Sequence, residues 1–496
     1  MRGKGGRLRG GLPPARRTAA READRWLRRG EGIGTLDCMT PFLLLALLAA
    51  DSPDSEPSRP NVLMIVADDL GFGDLACYGA PDLRTPALDK LAATGQRWTN
   101  FYANCPVCSP TRAALLSGQY QDVVGVPGVI RTHAENSWGD LVDDAVLLPS
   151  VLRDGGYRTA CIGKWHLGLE GRDVPTERGF ERFDGFLGDM MDDYYTHRRH
   201  DINYMTRAAI VDGTSRSETI DPQGHATDLF TDWAIDELRR SEGDERPFFL
   251  YLAYNAPHTP IQPPDDWLAE VKNVNPEMPD KRAKLVALIE HMDHGIGRVL
   301  GELDTLGMTN STVVIFTSDN GGQVNVGARN GPHRGTKGEV YEGGIAVPTI
   351  VRGPGLTTAG STTDTLALSM DLTATVAELA GVSLPGSRDG VSLVRALQTG
   401  TQPPVRETHF FRRREGGIAY NGQTIDAVRM GRWKLLQNKP TQPYEMYDLE
   451  ADPLEERDLF TTGPKSIRRQ LLDALSRHRQ RCGAVPWQAT ASGGSN

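Results

Sequence analysis

Hydrophobic positions along the chain follow two different periods. Four short runs are almost uniformly apolar: Val62–Ala67, Tyr157–Gly163, Phe248–Tyr254 and Val313–Thr317. They are too short for helices, and a half-exposed strand would alternate, so they predict strands buried on both faces of a helix-covered sheet. Between them, Thr85–Thr94 and Lys281–Leu303 carry the spacing of helices. After Gln402-Pro403-Pro404 the pattern changes to short strands around turns at Thr408–Phe411, Asp426–Met430, Trp433–Leu436 and Tyr444–Leu449. A helix with apolar Ile467, Leu471, Leu472 and Leu475 follows, then a loose tail at Ser492–Asn496.

Each apolar run ends in a polar group. Val62–Ala67 leads into Asp68-Asp69, and the second run into Lys164-Trp165-His166. The third leads into Asn255-Ala256-Pro257-His258, and the fourth into Ser318-Asp319-Asn320-Gly321. Ligands of open α/β sheets bind beyond the carboxyl ends of the strands. Taken singly, each group has a structural reading: Asp68-Asp69 as a turn cap, His166 as packing beside Trp165, His258 as a loop histidine, Asn320-Gly321 as a hairpin turn. One shared site accounts for all four together.

Composition narrows the function. The chain has 496 residues, enough for two domains, with 24% charged and 39% hydrophobic residues, as in globular proteins. Its net charge of −9 hides an asymmetry: residues 1–38 carry +6 and the remainder −15. An acidic body excludes a general nucleic-acid binder, so the chain is expected to have no nucleic-acid partner. Residues 1–38 read as a basic disordered extension, with Met39 as an alternative start. Residues 39–50 hold an apolar run too short to span a bilayer but fitting the core of a secretory signal, and 51–60 a Pro- and Ser-containing linker. The expectation is a secreted or periplasmic protein without stable membrane insertion. The six cysteines, at 38, 77, 105, 108, 161 and 482, cannot be paired from sequence.

The most specific stretch is Cys108-Ser109-Pro110-Thr111-Arg112, followed by Ala113–Gly118. Ser109 suits an N-cap, Pro110 a first helical position and Gly118 a stop, which places Cys108 at the anion-attracting end of a helix. Two other readings stand beside this one: a buried core thiol, and a dithiol redox pair formed by Cys105 and Cys108 in Cys-Pro-Val-Cys.

The Cys-x-Pro-x-Arg run resembles the signature of the type I sulfatases of the alkaline phosphatase superfamily, whose cysteine becomes formylglycine. Asp68-Asp69, Gly163–Gly168, Pro257–Pro260, Asp319–Gly321, Arg334–Gly338, Glu342–Gly344 and Val347-Pro348 are similar to motifs of that family, in the same order. The resemblance runs from about Asn61 to Leu459, is nearest the arylsulfatase A-like branch, and lacks no functional position. The segment Asp189–Gly224 follows no fixed pattern and is expected to shape the substrate pocket.

The resemblance implies an α/β fold: a large mixed, mostly parallel sheet sandwiched by helices, then a smaller C-terminal antiparallel sheet plus helix. It also implies a catalytic domain over 61–403, a C-terminal α+β subdomain over 404–496, and hydrolysis of a sulfate ester on a small molecule or glycan. Formylglycine made from Cys108 by a formylglycine-generating enzyme would be the nucleophile. Asp68, Asp69, Asp319 and Asn320, with residue 108, would hold a metal; their oxygen donors suit Ca²⁺ or Mg²⁺ over Zn²⁺, and the resemblance implies Ca²⁺ in preference to Mg²⁺. His166 would be the base for elimination, and Arg112 and Lys164 would stabilise residue 108. His258 and Lys337 would bind sulfate, one of them protonating the leaving oxygen. Rival readings are a phosphonate or phosphate ester hydrolase of the same superfamily, the dithiol oxidoreductase, and a sulfatase-like binding protein without turnover.

Overall fold

A computed structural model describes residues 59–132, 137–401, 406–415 and 424–482. The basic extension, the apolar run 39–50, most of the 51–60 linker, Cys38, the 403/404 boundary and the tail lie outside the described residues.

The four apolar runs form neighbouring parallel strands at the centre of a ten-stranded sheet. In spatial order the strands are Ser361–Thr363, Gln96–Trp98, Thr349–Arg352, Thr312–Ser318, Asn61–Ala67, Phe248–Ala253, Arg158–Lys164, Arg182–Phe186, Met205–Val211 and Thr214–Thr219. Antiparallel pairing enters only around Thr349–Arg352 and at the Met205–Thr219 edge. That edge hairpin belongs to the segment whose sequence has no fixed pattern; most of its strand Thr214–Thr219 is exposed.

Why the central strands are apolar throughout follows from their two faces. Leu63, Ile65 and Ala67 pack into one core, with Phe230 and Ala234 of helix Ala226–Arg240 and Ile289 and Ile296 of helix Asp280–Thr305. Val62, Met64 and Val66 point the other way, into a second core with Leu115 and Leu116 of helix Cys108–Ser117 and Val376 of helix Asp371–Leu379. Successive strand side chains alternate faces, and here both faces are covered.

The C-terminal strands Thr408–Arg414, Thr424–Met430, Trp433–Gln437 and Glu445–Asp448 pair in sequence order as an antiparallel sheet. Val428, Leu435 and Met446 on one face pack against Leu471 and Leu475 of helix Lys465–Cys482. Phe411, Ala427, Leu436 and Tyr447 on the other face join Tyr102, Ala114 and Ile345 of the main body. Among the described residues no helix is long and apolar enough to cross a membrane.

Candidate active site

Three central strands extend their ladder by one bond past their ends. Tyr254 N–H donates to Val66 O (2.9 Å), Asp68 N–H to Ala256 O (3.1 Å) and Asp319 N–H to Ala67 O (3.1 Å). This lock-step brings Asp68, Asp69, His258 and Asp319 together although 251 positions separate the first from the last. Asp69 (φ 67°) and His166 (φ 61°) then take the left-handed conformation. Asp and His are among the side chains that tolerate it, and such outliers gather at functional sites. Gly163 (φ 98°) is required one strand over, since a Cβ there would lie 2.1 Å from Ala253 O.

Helix Cys108–Ser117 lies under this edge, but it starts earlier than the sequence suggests. Val107 is its N-cap residue and makes no side-chain cap, so Cys108 rather than Pro110 opens the helix. Ser109 does not cap: its Oγ accepts from Ile130 N–H at 3.1 Å, drawn away by a tertiary partner. Pro110 fits one turn in because the first four N–H groups of a helix have no intrahelical acceptor. Gly118 ends the helix in the left-handed conformation, as expected. Cys108 remains at the helix mouth.

Three ion pairs organise the site. Arg112 donates from Nη2 and Nε to Asp319 Oδ2 (2.7 and 3.0 Å), and from Nη1 to Lys164 O (3.2 Å). Lys164 Nζ donates to Asp68 Oδ2 at 2.5 Å, and Lys337 Nζ to Asp69 Oδ2 at 2.7 Å. Asn320 Nδ2 donates to Asp69 Oδ1 (2.8 Å), and Asp69 N–H to Asp319 Oδ1 (3.2 Å). Lys337 is held in place by its own backbone: its N–H donates to Gly322 O, and the next N–H, of Gly338, to Pro106 O.

Burial pushes the Asp68 carboxyl up, but Lys164, His258 and Arg112 together bring it below the ordinary range. Asp69 behaves likewise, burial being outweighed chiefly by Lys337 and His258. At Asp319 burial and the Asp68 charge prevail over Arg112, and the carboxyl is raised. Burial opposes the charge on Lys337, yet Asp69 holds it up as a firm cation.

The two histidines have defined faces. His166 Nε2 lies 2.8 Å from Ile130 O, a pure acceptor, so this nitrogen carries the proton and Nδ1 the lone pair. Nδ1 is buried with no hydrogen-bond partner. Burial, then Lys164 and Arg112, hold this imidazole well below its ordinary value, in its neutral form. His258 Nδ1 lies 2.7 Å from Thr259 O, which leaves Nε2 toward Asp69 Oδ2 at 3.6 Å.

Cys108 Sγ lies 4.0 Å from Asp69 Oδ1. Burial pushes its thiol up ahead of the opposing pull of Lys164 and Lys337, and Cys105 is likewise raised by burial. Both are free thiols. A redox pair needs a stabilised thiolate, and this environment does the reverse.

The donor set suits a hard cation. Asp68 Oδ1, with the Arg112 guanidinium 3.8 Å away, and Asn320 Oδ1 are buried without a hydrogen-bond partner, an arrangement that costs free energy unless a donor or cation meets them directly. Asp68, Asp69, Cys108 and His258 each offer a ligand atom within 4.8 Å of the others. Asp319 stands outside that tight group, its oxygens already accepting from Arg112 and the Asp69 N–H.

A cavity of about 310 Å³ opens above, lined by Cys108, His166, His258 and Lys337. Arg131, Asp189, Met190, Gln323 and Arg413 are also on its wall, and none of these is a site residue expected from the sequence. Asp189 and Met190 do begin the segment expected to shape the pocket.

Known proteins resemble this chain over most of its length. The Sulfatase family model matches residues 60–382, and that described as N-sulphoglucosamine sulphohydrolase, C-terminal, matches 336–481. Human (Homo sapiens) arylsulfatase A is 35% identical over 438 residues, 83% of this chain and 81% of its own length. N-acetylgalactosamine-6-sulfatase of Canis lupus familiaris is 33% identical over 410 residues, 79% of this chain and 74% of its own. The solved structure of Ps i-CgsB in complex with k-i-k-neocarrahexaose superposes with a TM-score of 0.76 at 28% identity, covering 86% of this chain and 94% of that one. Strand-end carboxylates, a cysteine at a helix mouth and this breadth of similarity lead to one conclusion: the chain belongs to the sulfatase family of sulfuric ester hydrolases.

Proposed function

We propose that this sulfatase cleaves its ester with a formylglycine made from Cys108 by a formylglycine-generating enzyme, beside a divalent cation, Ca²⁺ in preference to Mg²⁺. The observation that carries the reading is the convergence of Cys108, His166, His258 and Lys337 on one cavity above the Asp68, Asp69 and Asn320 oxygens. The raised Cys108 thiol fits a precursor awaiting conversion better than a thiolate nucleophile.

Asp68, Asp69 and Asn320, with Asp319 behind them and residue 108 above, would hold the cation, which neutralises sulfate oxygens and lowers the pKa of a hydroxyl at residue 108. The aldehyde hydrate supplies two hydroxyls on one carbon, so the group that accepts sulfur can be released by its neighbour without attack by water. Without the cation, the charges of Asp68, Asp69 and Asp319 are balanced by Lys164, Lys337 and Arg112. Two added positive charges match a sulfate monoester anion plus one ionised hydroxyl.

The side chains divide the remaining work. His166 presents the Nδ1 lone pair as the base that takes the proton from the second hydroxyl. Arg112 holds Asp319 and the Lys164 carbonyl, fixing the floor on which residue 108 turns over, and Lys164 reaches the same floor through Asp68. His258 and Lys337 clamp the sulfate and between them protonate the departing oxygen, a contribution of about 10²–10⁴-fold. Catalytic domain 61–403, C-terminal subdomain 404–496 and export directed by residues 39–50 belong to the same proposal.

A sulfated glycan is the favoured substrate class, because the named relatives include an N-acetylgalactosamine-6-sulfatase and a protein solved with a neocarrahexaose. The test is sulfate release from aryl sulfate and sugar sulfates by protein produced with and without a formylglycine-generating enzyme. Release only with the enzyme supports the reading. Preference for an aryl phosphonate over an aryl sulfate would replace it with phosphonate ester hydrolysis.

A further inference from the structure

One cation on the cavity wall comes from the C-terminal sheet. Arg413 is the penultimate residue of strand Thr408–Arg414, yet it lines the same cavity as Cys108, His258 and Lys337. Its Nε donates to Glu415 Oε1 at 2.9 Å, an oxygen that also accepts from Val129 N–H at 3.2 Å. The Glu415 side chain is fully buried and that of Arg413 only 12% exposed, so the guanidinium is oriented and largely desolvated. Its Nη1 lies over Gly338, close enough that a Cβ there would approach to 3.1 Å. Gly338 directly follows Lys337, so the guanidinium stands beside the sulfate clamp.

Binding through Nε leaves the Nη1/Nη2 edge of Arg413 turned away from Glu415, and neither atom makes a hydrogen bond among the described residues. Two parallel N–H donors on a planar, permanently charged group match the two oxygens of a carboxylate or sulfate. Arg112, Lys164 and Lys337 are each bonded to a carboxylate of the reaction centre, whereas Arg413 is not.

We propose that Arg413 is a receptor for a second anionic group of the substrate, carried beside the sulfate that is cleaved. The substrate is then a polyanionic sugar, and the second oxyanion is either another sulfate or a neighbouring uronate carboxylate. This rests on the sulfatase reading above.

The experiment measures binding in the Cys108→Ala variant, which cannot turn over. Three probes are compared by calorimetry: N-acetylglucosamine 6-sulfate, glucosamine 2-N,6-O-disulfate, and a disaccharide joining a uronate to N-acetylglucosamine 6-sulfate. One dianion is expected to bind about tenfold or more tighter than the monosulfate, and the arm that does so identifies the second group. Adding Arg413→Met brings that ratio to about one, and Arg413→Lys, which keeps the charge and serves if the methionine variant does not fold, retains only part of it. Equal affinity for all three probes, or a preference that survives Arg413→Met, overturns the proposal. If the ratios behave as expected but wild-type protein matured with the generating enzyme releases no sulfate, the receptor stands and the hydrolytic reading falls.

Discussion

Arg112 and Asp319 are joined by two hydrogen bonds to a single carboxylate oxygen, with both side chains fully inaccessible to solvent. The pair ties the nucleophile helix to a strand end 207 residues away. Removing one member leaves a buried charge beside Asp68, itself 3.8 Å from the Arg112 guanidinium. Arg112→Met is therefore expected to cost about 3–5 kcal/mol of stability, besides any loss of turnover. Chemical denaturation at pH 7.5 checks this; a loss below about 1 kcal/mol, as for an exposed pair, would mean the pair does not bear on folding.

The buried oxygens of Asp68 and Asn320 that accept no hydrogen bond predict a metal-dependent stability as well as a metal-dependent rate. Ca²⁺ at about 1,000 times its Kd should stabilise the protein by about 4 kcal/mol, and chelation should remove both that increment and activity. Asn320→Ala deletes one donor and should weaken Ca²⁺ binding by about tenfold or more. A melting temperature indifferent to Ca²⁺ and chelator would contradict the assignment of these oxygens.

His258 and Lys337 can be told apart by the leaving group. The residue that protonates the departing oxygen matters most for a basic alcohol and little for 4-nitrophenol, whose oxygen needs no help. The variant of the acid should lose about 10²–10⁴-fold in kcat/KM on a sugar sulfate, much of it regained on 4-nitrophenyl sulfate. The variant of the sulfate clamp should lose similarly on both. Equal losses for His258→Ala and Lys337→Ala on both substrates would remove the acid from this pair.

The placement of several candidate-site residues is legible because they follow a local signal: a two-sided apolar strand, then a polar group at its end. Asp68, Lys164, His258 and Asp319 announce themselves in that way. Arg413 does not. It sits in Phe410-Phe411-Arg412-Arg413-Arg414-Glu415, where alternation sends Arg412 to Asp122 and Asp426 and turns Arg413 to the cavity. Only the docking of one sheet on another gives that side chain a destination. Asp189 and the Ile130 carbonyl were hidden for the same reason, as parts of irregular segments placed by tertiary contacts. The Cys108 helix starts earlier than its sequence suggests because Ile130 claims the Ser109 hydroxyl, a partner 21 positions away that no capping rule anticipates.

A buried histidine of the C-terminal helix makes the stability acid-sensitive. His478 is buried, stacked on Phe410 with ring centroids 4.1 Å apart and planes 2° from parallel. Burial first, then Arg412 and Arg481, bring its imidazole down to about 3. The folded state thus keeps His478 neutral while the unfolded chain binds a proton near pH 6.5, so stability is lost as pH falls from 6.5 toward 3. At pH 4.5 the loss is at most about 2.7 kcal/mol from this group. His478→Leu, which cannot be protonated, should raise the melting temperature relative to wild type at pH 4.5 and not at pH 7.5. The same difference at both pH values would show that packing, not protonation, governs the site.

The fate of Cys108 decides most. Its side chain is only 3% exposed as a residue, in a helix mouth whose backbone is held by Ser109 to Ile130 and by Thr111 Oγ1 to both Cys105 N–H and O. None of those bonds uses the Cys108 side chain, so Cys108→Ala should fold with a loss of about 1 kcal/mol while abolishing turnover. Conversion of the thiol to an aldehyde lowers the mass of the peptide containing residue 108 by about 18 Da, a change required if the second hydroxyl is to release sulfate. The mass shift should therefore track activity preparation by preparation, and Cys105→Ser should leave both unchanged, since Cys105 does not line the cavity. Full turnover from protein whose peptide retains the thiol would remove the aldehyde from the reaction, and turnover by Cys108→Ala would move the nucleophile away from residue 108; loss of activity in Cys105→Ser with the aldehyde intact would revive a joint role for the two cysteines.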